Sequence, residues 1–349
     1  MNILQVTPHY PPLIGGVPRH VSGLCERLAL GNRVTVFTCD PSGDLPREEE
    51  MGGVLVRRFH SFAPRGAYHM SWEMWRGLKG AEFDIVHGHN YHALPLLLSR
   101  FAGRHRFIVT PYYHGHGHTP FRAPLLRLYR PLGERVLCEA DAVVALSRWE
   151  RDLLLRDFAL EPGRVAVVPS AIDRSEFAGR EKKERGHRTI LCVCRLERYK
   201  GVQYVIRALP LLDGDIRLEV VGTGTCKGEL VRLARELGVA HRVDFCQELE
   251  RGELLQRYAD ADLFVLLSRC ESFSIAVAEA LAAGLPCIVA NASASQEWVD
   301  GESCFGIDCP IDIDGLARLV GQVIGRTAGH VELPEWADVI SALEGVYRG

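Results

Sequence analysis

Residues 263–286, LFVLLSRCESFSIAVAEALAAGLP, decide the fold. The apolar run Leu263 to Leu267 is short enough for a buried strand of a parallel sheet. Ala276 to Ala283 is rich in strong helix formers, and Gly284 and Pro286 stop it. The stretch therefore reads strand, loop, helix, with Glu271 in the loop and Glu279 on the helix. Just over two turns separate the two acids, so Glu279 lies roughly on the face that looks back toward the loop. Two glutamates near a helix start are ordinarily a cap and a solvated face. Combined with the N–H groups of the helix start, they also suit a ligand with hydroxyls at two ends and an anion between them, such as a nucleotide sugar.

The chain of 349 residues suits two domains of ordinary size. Its 47% apolar and 24% charged content is that of a globular protein with a large core. A net charge of -3 gives no whole-protein reason to expect nucleic acid. The charge is unevenly spread: residues 1–172 carry 20 Arg and Lys against 16 Asp and Glu, and 11 of the 14 histidines. That half is the one suited to an acidic acceptor or an anionic membrane. No basic leader and no apolar stretch of 18 residues is seen, so neither a signal peptide nor a spanning helix is expected. The 11 cysteines, scattered in apolar segments, fit reduced thiols and a cytoplasmic protein better than a disulfide framework. Cys192 and Cys194 alternate on a strand and are expected in the core.

In chain order, Asn2 to Thr7 is a strand, and the Pro/Gly loop with Gly15 and Gly16 runs into an amphipathic helix. Two adjacent glycines permit close approach of backbone to a ligand at a strand's carboxyl end. Further strands are expected at Arg33 to Thr38, Val54 to Arg58, Phe83 to His89, Phe107 to Thr110, Asp141 to Ser147 and Val165 to Pro169, alternating with helical stretches. This is the pattern of a doubly wound parallel sheet. His87, His89, His114, His116 and His118 gather near strand ends and raise the alternative of a metal-dependent hydrolase. Residues 61–80 mix aromatics with Arg65, Arg76 and Lys79. Residues 119–137 interleave Arg122, Arg127, Arg130 and Arg135 with apolar residues, a candidate membrane-surface segment, and Pro131 is expected to interrupt its helix. Arg180 to Arg188 is the most polar run and reads as an exposed linker or a long surface loop. Beyond it, a strand from Thr189 leads to Arg195 and Lys200 just before a helix, where a diphosphate would sit.

Glu-x7-Glu after an apolar strand, followed by EALAAGLPCIVA, resembles the signature of the family 4 glycosyltransferases, retaining enzymes of the GT-B fold. RLERYKG is similar to the family's R-L-x-x-x-K-G motif, and Val221-Gly222-Thr223-Gly224 to its V-G-x-G turn. The resemblance implies an α/β protein of GT-B architecture, with two Rossmann-like doubly wound domains facing a cleft. The expected division is an acceptor domain over 1–172, a linker over 173–188, a donor domain over 189–330 and a helix over 331–349 that crosses back to the first domain. It implies that Arg195 and Lys200 clamp the leaving diphosphate, that Glu271 holds hexose hydroxyls and Glu279 ribose hydroxyls. Gly15, Gly16, Gly222 and the stretch Ser272, Phe273, Ser274, Ile275 and Ala276 line the donor. A His after the Phe107 strand is implied beside the transferring carbon; His114 or His116 fills that place. Gln247 stands where the family usually reads Gly, as do Ser272 and Ser274, which puts the choice of donor in question.

The implied activity is metal-independent transfer of a hexose-type sugar from a nucleoside-diphosphate sugar, a co-substrate, with no other cofactor. The acceptor is a sugar or a lipid-linked hydroxyl, and the first domain is the candidate for contact with the inner face of a membrane. A nucleotide-sugar epimerase on the same architecture is the other alternative.

Overall fold

In a computed structural model the structure describes residues 1–64, 68–115, 122–247 and 249–349, with side chains from 122 to 128 excepted. Two compact units emerge: Met1–Ala171 with Glu335–Gly349, and Ile172–Pro334.

The first unit contains β1 (Asn2–Val6), α1 (Gly16–Leu28), β2 (Arg33–Asp40), β3 (Glu48–Met51), β4 (Val54–His60), α2 (Trp72–Lys79), β5 (Glu82–His89), α3 (Leu94–Ser99), β6 (Gly103–Thr110), α4 (Arg122–Glu139), β7 (Ala142–Ala145), α5 (Arg148–Asp157) and β8 (Val165–Val167). Its sheet runs β3-β4-β2-β1-β5-β6-β7-β8. The pairings are parallel except β3 with β4. Apolar layers cover both faces, one around Leu4, Val86 and Phe107 and the other around Ile3, Val36 and Ile108. Burial on both faces is why these strands read as apolar runs and not as alternation.

The second unit contains β9 (Arg188–Val193), α6 (Val202–Ala208), β10 (Ile216–Val221), α7 (Lys227–Glu236), β11 (Val243–Cys246), α8 (Arg251–Asp260), β12 (Leu263–Leu266), α9 (Ile275–Ala282), β13 (Cys287–Ala290), β14 (Cys304–Ile307) and α10 (Ile313–Val323). Its sheet, β11-β10-β9-β12-β13-β14, is parallel throughout. Strand order reverses between β9 and β12, the place where open α/β sheets form ligand crevices at the carboxyl ends of their strands. Cys192 is buried in this unit's core and Cys194 packs against it.

The last helix, α11 (Trp336–Arg348), returns to the first unit and buries Val339, Leu343 and Tyr347 there. Of the two readings of Arg180 to Arg188 the structure has the surface loop: the run is part of the second unit, and its cations are fastened to that unit's acids. Arg185 lies 2.9 Å from Glu219 and 2.6 Å from Asp260, and Lys182 lies 2.5 Å from Asp262. Pro131 does not break α4, which runs through it. Burial of Val136, Leu137 and Ala140 in and just after the last turns of α4 outweighs the roughly 3 kcal/mol that an interior proline costs.

Candidate active site

The loops after β9 and β12 meet at the reversal point of the second sheet. The first carries Arg195 and a short 3-10 turn, Arg198–Lys200, before α6. Gly201 adopts a left-handed φ of 82°, and any Cβ there would collide with the Leu267 carbonyl at the end of β12. This close approach sets Lys200 against the second loop, and the amide of Arg269 donates to the Tyr199 carbonyl at 3.0 Å. Gly222 serves the same loop from its other side, where a Cβ would run into the Cys194 carbonyl.

Lys200 Nζ lies 2.5 Å from Glu271 Oε1, with the side chains 12% and 13% exposed. Burial alone would push the ammonium down, but the Glu271 carboxylate beside it, helped by Tyr199, holds its pKa above the ordinary lysine value. Arg195 Nη2 donates to Tyr199 Oη at 2.8 Å, and Lys200 Nζ sits 5.2 Å from the same ring. One tyrosine thus spaces two cations, one exposed and one nearly enclosed.

Glu271 is fixed at its backbone as well. Its amide donates to Ser293 Oγ at 3.0 Å and its carbonyl accepts from Ala294. Ser274 caps α9 in a left-handed conformation, φ 72° and ψ 61°. That costs a residue with a Cβ about 1–2 kcal/mol. The buried hydrogen bond between Ser274 Oγ and Ser295 Oγ, 2.8 Å, offsets part of it. Trp298 Nε1 donates to the Phe273 carbonyl at 2.8 Å. Ser272, Ile275 and Ala276 are partly exposed beside these buried anchors, and the first-turn N–H groups of α9 have no acceptor within the helix.

Glu279 is placed differently. On the second turn of α9 and 4% exposed, it lies 2.7 Å from Arg251 Nη1 and accepts from Tyr258 Oη at 2.9 Å. Arg251 bridges on to Glu176 at 2.6 Å. Lys200 and Glu271 are therefore joined directly and Arg195 through Tyr199, while Glu279, on the helix that follows the Glu271 loop, holds other partners. Sequence reasoning missed Arg251 and Tyr258. The signal for Tyr258 was its place on the apolar stripe of α8, which also buries Leu255.

In the first unit, Gly15 and Gly16 are exposed at the start of α1, at the carboxyl end of β1. His114 follows β6, its ring stacked on His92 at 4.9 Å. His116 and His118 lie outside the described residues, as does Arg65. The backbone beside His114 is held by Glu150, which accepts from the Tyr113 amide and, at 2.8 Å, from the Leu146 amide. Burial raises the Glu150 carboxyl to about 8, against the two backbone donors that hold it down. Ser147-x-x-Glu150 has the form of a capping box, and Ser147 Oγ accepts from the Glu150 amide at 3.0 Å. That pattern could have singled out Glu150.

His87 and His89 do not form a metal centre. His87 stands 2.8 Å from both Tyr347 Oη and Thr110 Oγ1, and His89 lies 2.6 Å from Gln5 Oε1 and 3.1 Å from Tyr112 Oη. With both ring nitrogens of each engaged and the rings fully buried, the pairs are core polar contacts. Among the described residues no group of three or more His, Cys, Asp and Glu is placed to hold a metal. Asp260 and Asp262, an Asp-x-Asp pair, precede β12 at the opposite, amino end of the sheet and are tied to Arg185 and Lys182.

A family model described as glycosyl transferases group 1 matches residues 173–327, and one described as glycosyltransferase family 4 matches residues 14–176. A glycogen synthase of Mycobacterium tuberculosis is 31% identical over 94% of this chain and 87% of that protein. A GDP-mannose-dependent alpha-(1-6)-phosphatidylinositol monomannoside mannosyltransferase of Mycolicibacterium smegmatis is 27% identical, over 96% and 94%. The fold is shared with Anabaena HepE, solved with UDP and glucose, at a TM-score of 0.79 and 16% identity, covering 100% of this chain and 99% of that one.

Proposed function

The chain belongs to the family 4 glycosyltransferases, glycosyl transferases group 1, with the GT-B fold, and on that premise we propose that it moves a hexose-type sugar from a nucleoside-diphosphate sugar to an acceptor hydroxyl with retention at the anomeric carbon. The observation that carries this reading is the Lys200–Glu271 pair at the reversal point of the second sheet, with Arg195 spaced from it by Tyr199. Relatives and neighbours named for GDP-mannose or solved with UDP and glucose support a nucleoside-diphosphate donor.

Charge grows on the departing diphosphate as the glycosidic bond breaks. Fixed cations aimed at it stabilise the transition state more than the ground state, without reorganising at the moment of reaction. Lys200 and Arg195 take that role, assisted by the N–H groups of Ile275 and Ala276. Two such cations make the step independent of a divalent metal. Glu271, released from Lys200 as phosphate arrives, accepts from hexose hydroxyls, and Glu279 accepts from the ribose. His114 is assigned to the sugar beside the transferring carbon. Attack on the face the diphosphate leaves, assisted by its oxygen, retains configuration. The acceptor is a sugar or a lipid-linked hydroxyl, met in the cytoplasm at the inner face of the membrane.

A thermal-shift panel of UDP-, GDP- and ADP-sugars tests the reading, because a ligand of the native state raises the melting temperature. One nucleotide class is expected to raise it, undiminished by EDTA, and to yield a product of retained anomeric configuration with the right acceptor. No shift with any donor, or an inverted product, would overturn it.

A further inference from the structure

The second unit holds a cavity of about 290 Å³ at the amino end of its sheet, the end opposite Lys200 and Glu271. Its walls are the chain just before β12 and β13, the loop after α10 and the segment around Arg180. Three cations line it, and their partners differ. Lys182 lies 2.5 Å from Asp262, which neutralises it, and donates to the Ala261 carbonyl at 3.2 Å, so it serves the end of α8. Arg180 holds backbone carbonyls only, those of Glu176 at 3.0 Å and Gly252 at 3.2 Å. Arg326 lies over the Phe305 ring at 5.7 Å. Among the described residues neither guanidinium is paired with a carboxylate, which leaves two positive charges on one cavity.

The remaining walls have the opposite polarity. Ala261, Gly284 and Gly325 follow the last turns of α8, α9 and α10 and line the cavity. Helix C-termini carry partial negative charge on carbonyls that lack intrahelical partners. Such a border accepts hydrogen bonds from hydroxyls and disfavours a bare anion.

Guanidiniums for a phosphate and carbonyls for hydroxyls describe one class of ligand, and we propose that the cavity binds a phosphorylated sugar. Two other occupants fit less well. A nucleotide needs an open ring or slot for its base, and the aromatic residues of the wall, Phe177 and Tyr258, are only 9% and 1% exposed. The volume is also at the lower limit of ordinary ligand pockets, about 300 Å³. A divalent cation would face both guanidiniums with Asp262 as its carboxylate, and Lys182 already holds that group.

One wall residue leads to the donor side. Tyr258 packs on Phe177 with ring centroids 6.3 Å apart and donates to Glu279 at 2.9 Å. An occupant therefore rests against the residue that holds the acid assigned to the ribose, and occupancy should change nucleotide affinity. That coupling rests on the donor role proposed for Glu279; binding in the cavity does not.

The test is isothermal titration of the full chain with glucose 6-phosphate, mannose 6-phosphate, inorganic phosphate and glucose, with no donor or acceptor present. A hexose phosphate should bind at least about tenfold more tightly than phosphate or glucose alone. Arg326→Ala and Thr327→Glu, both at exposed positions, should weaken it at least about tenfold with the melting temperature unchanged. Arg195→Ala, at the candidate active site, should leave it intact. No binding of either hexose phosphate, binding that both cavity variants leave unchanged, or binding lost in Arg195→Ala would overturn the proposal. With the cavity saturated, the affinity for the nucleoside diphosphate should shift at least about fivefold. An unchanged affinity would overturn the coupling, and a chain that binds hexose phosphate but no nucleotide would overturn the donor reading alone.

Discussion

Lys200 and Glu271, held 2.5 Å apart, close the point at which the second sheet reverses its strand order. The pair keeps a nearly buried ammonium charged, and removing either member strands the other. Lys200→Ala and Glu271→Ala are each expected to lower turnover by about 10²–10³ and to cost about 3–5 kcal/mol of stability. The double variant Lys200→Met/Glu271→Gln should recover much of the stability and none of the turnover. Urea midpoints and initial rates on the four proteins check this, and a double variant that turns over normally would remove the pair from the chemistry.

Tyr199 is expected to act through Arg195. Tyr199→Phe keeps the ring beneath Lys200 and deletes the hydrogen bond at 2.8 Å. A lost neutral-to-charged hydrogen bond at an exposed guanidinium is worth about 1 kcal/mol, so the nucleoside diphosphate should bind about fivefold more weakly. Isothermal titration against the released diphosphate reads the change, with kcat altered less than KM. Unchanged affinity would mean that Arg195 needs no such support.

Arg251 is the next constraint. It neutralises Glu279, which is 4% exposed, and ties it to Glu176 near the start of the second unit. Arg251→Met leaves a buried carboxylate with Tyr258 but without its cation, and a loss of about 3–5 kcal/mol is expected. Arg251→Lys should recover part of it. Chemical denaturation separates these outcomes, and a loss below about 0.5 kcal/mol would show that the network carries little.

Most of the parallel strands and α9 were legible because both faces of each sheet are buried, so the strands carry short, largely apolar runs. The edge strand β3 was not. Its Glu48, Glu49 and Glu50 carry no apolar signal, and it forms because they lie across from basic β4, with Glu48 2.8 Å from Arg57 and Glu49 paired with Arg58. Lys200 and Glu271 could each be placed at a strand end before a helix start, and the family resemblance brought them to one site. The partners of Glu279 could not, since Arg251 and Tyr258 reach it from α8, and no local spacing encodes which helix packs beside another. The left-handed Ser274 shows the same limit: Ser at a position suited to Gly reads as a weakness until Ser295 is found within reach.

The buried histidines of the first unit give its stability a pH dependence of definite sign. Burial drives His87 from 6.5 down to about 3, with His20 adding to the effect, and drives His20 to about 4. His89 is also held well below 6.5 by burial, reinforced by its two histidine neighbours. Between those values and 6.5 the unfolded chain binds more protons than the folded one. Stability is therefore complete above 6.5 and lost as the pH falls, by at most about 1.4 kcal/mol per pH unit for each histidine. Glu150 has the opposite sign: its carboxyl is raised from 4.5 to about 8 by burial, so its contribution is full below 4.5 and lost as the pH climbs through 8. Three histidines outweigh one carboxyl below 6.5, and the carboxyl acts alone above it, which sets a maximum near pH 6.5. Urea midpoints from pH 5 to 8 should trace that maximum, with His89→Gln flattening the acid limb by about half, since two histidines then stand against one carboxyl, and Glu150→Gln removing the alkaline one. A stability that stays level from pH 6.5 to pH 5 in the wild type would mean that these rings are not buried neutral.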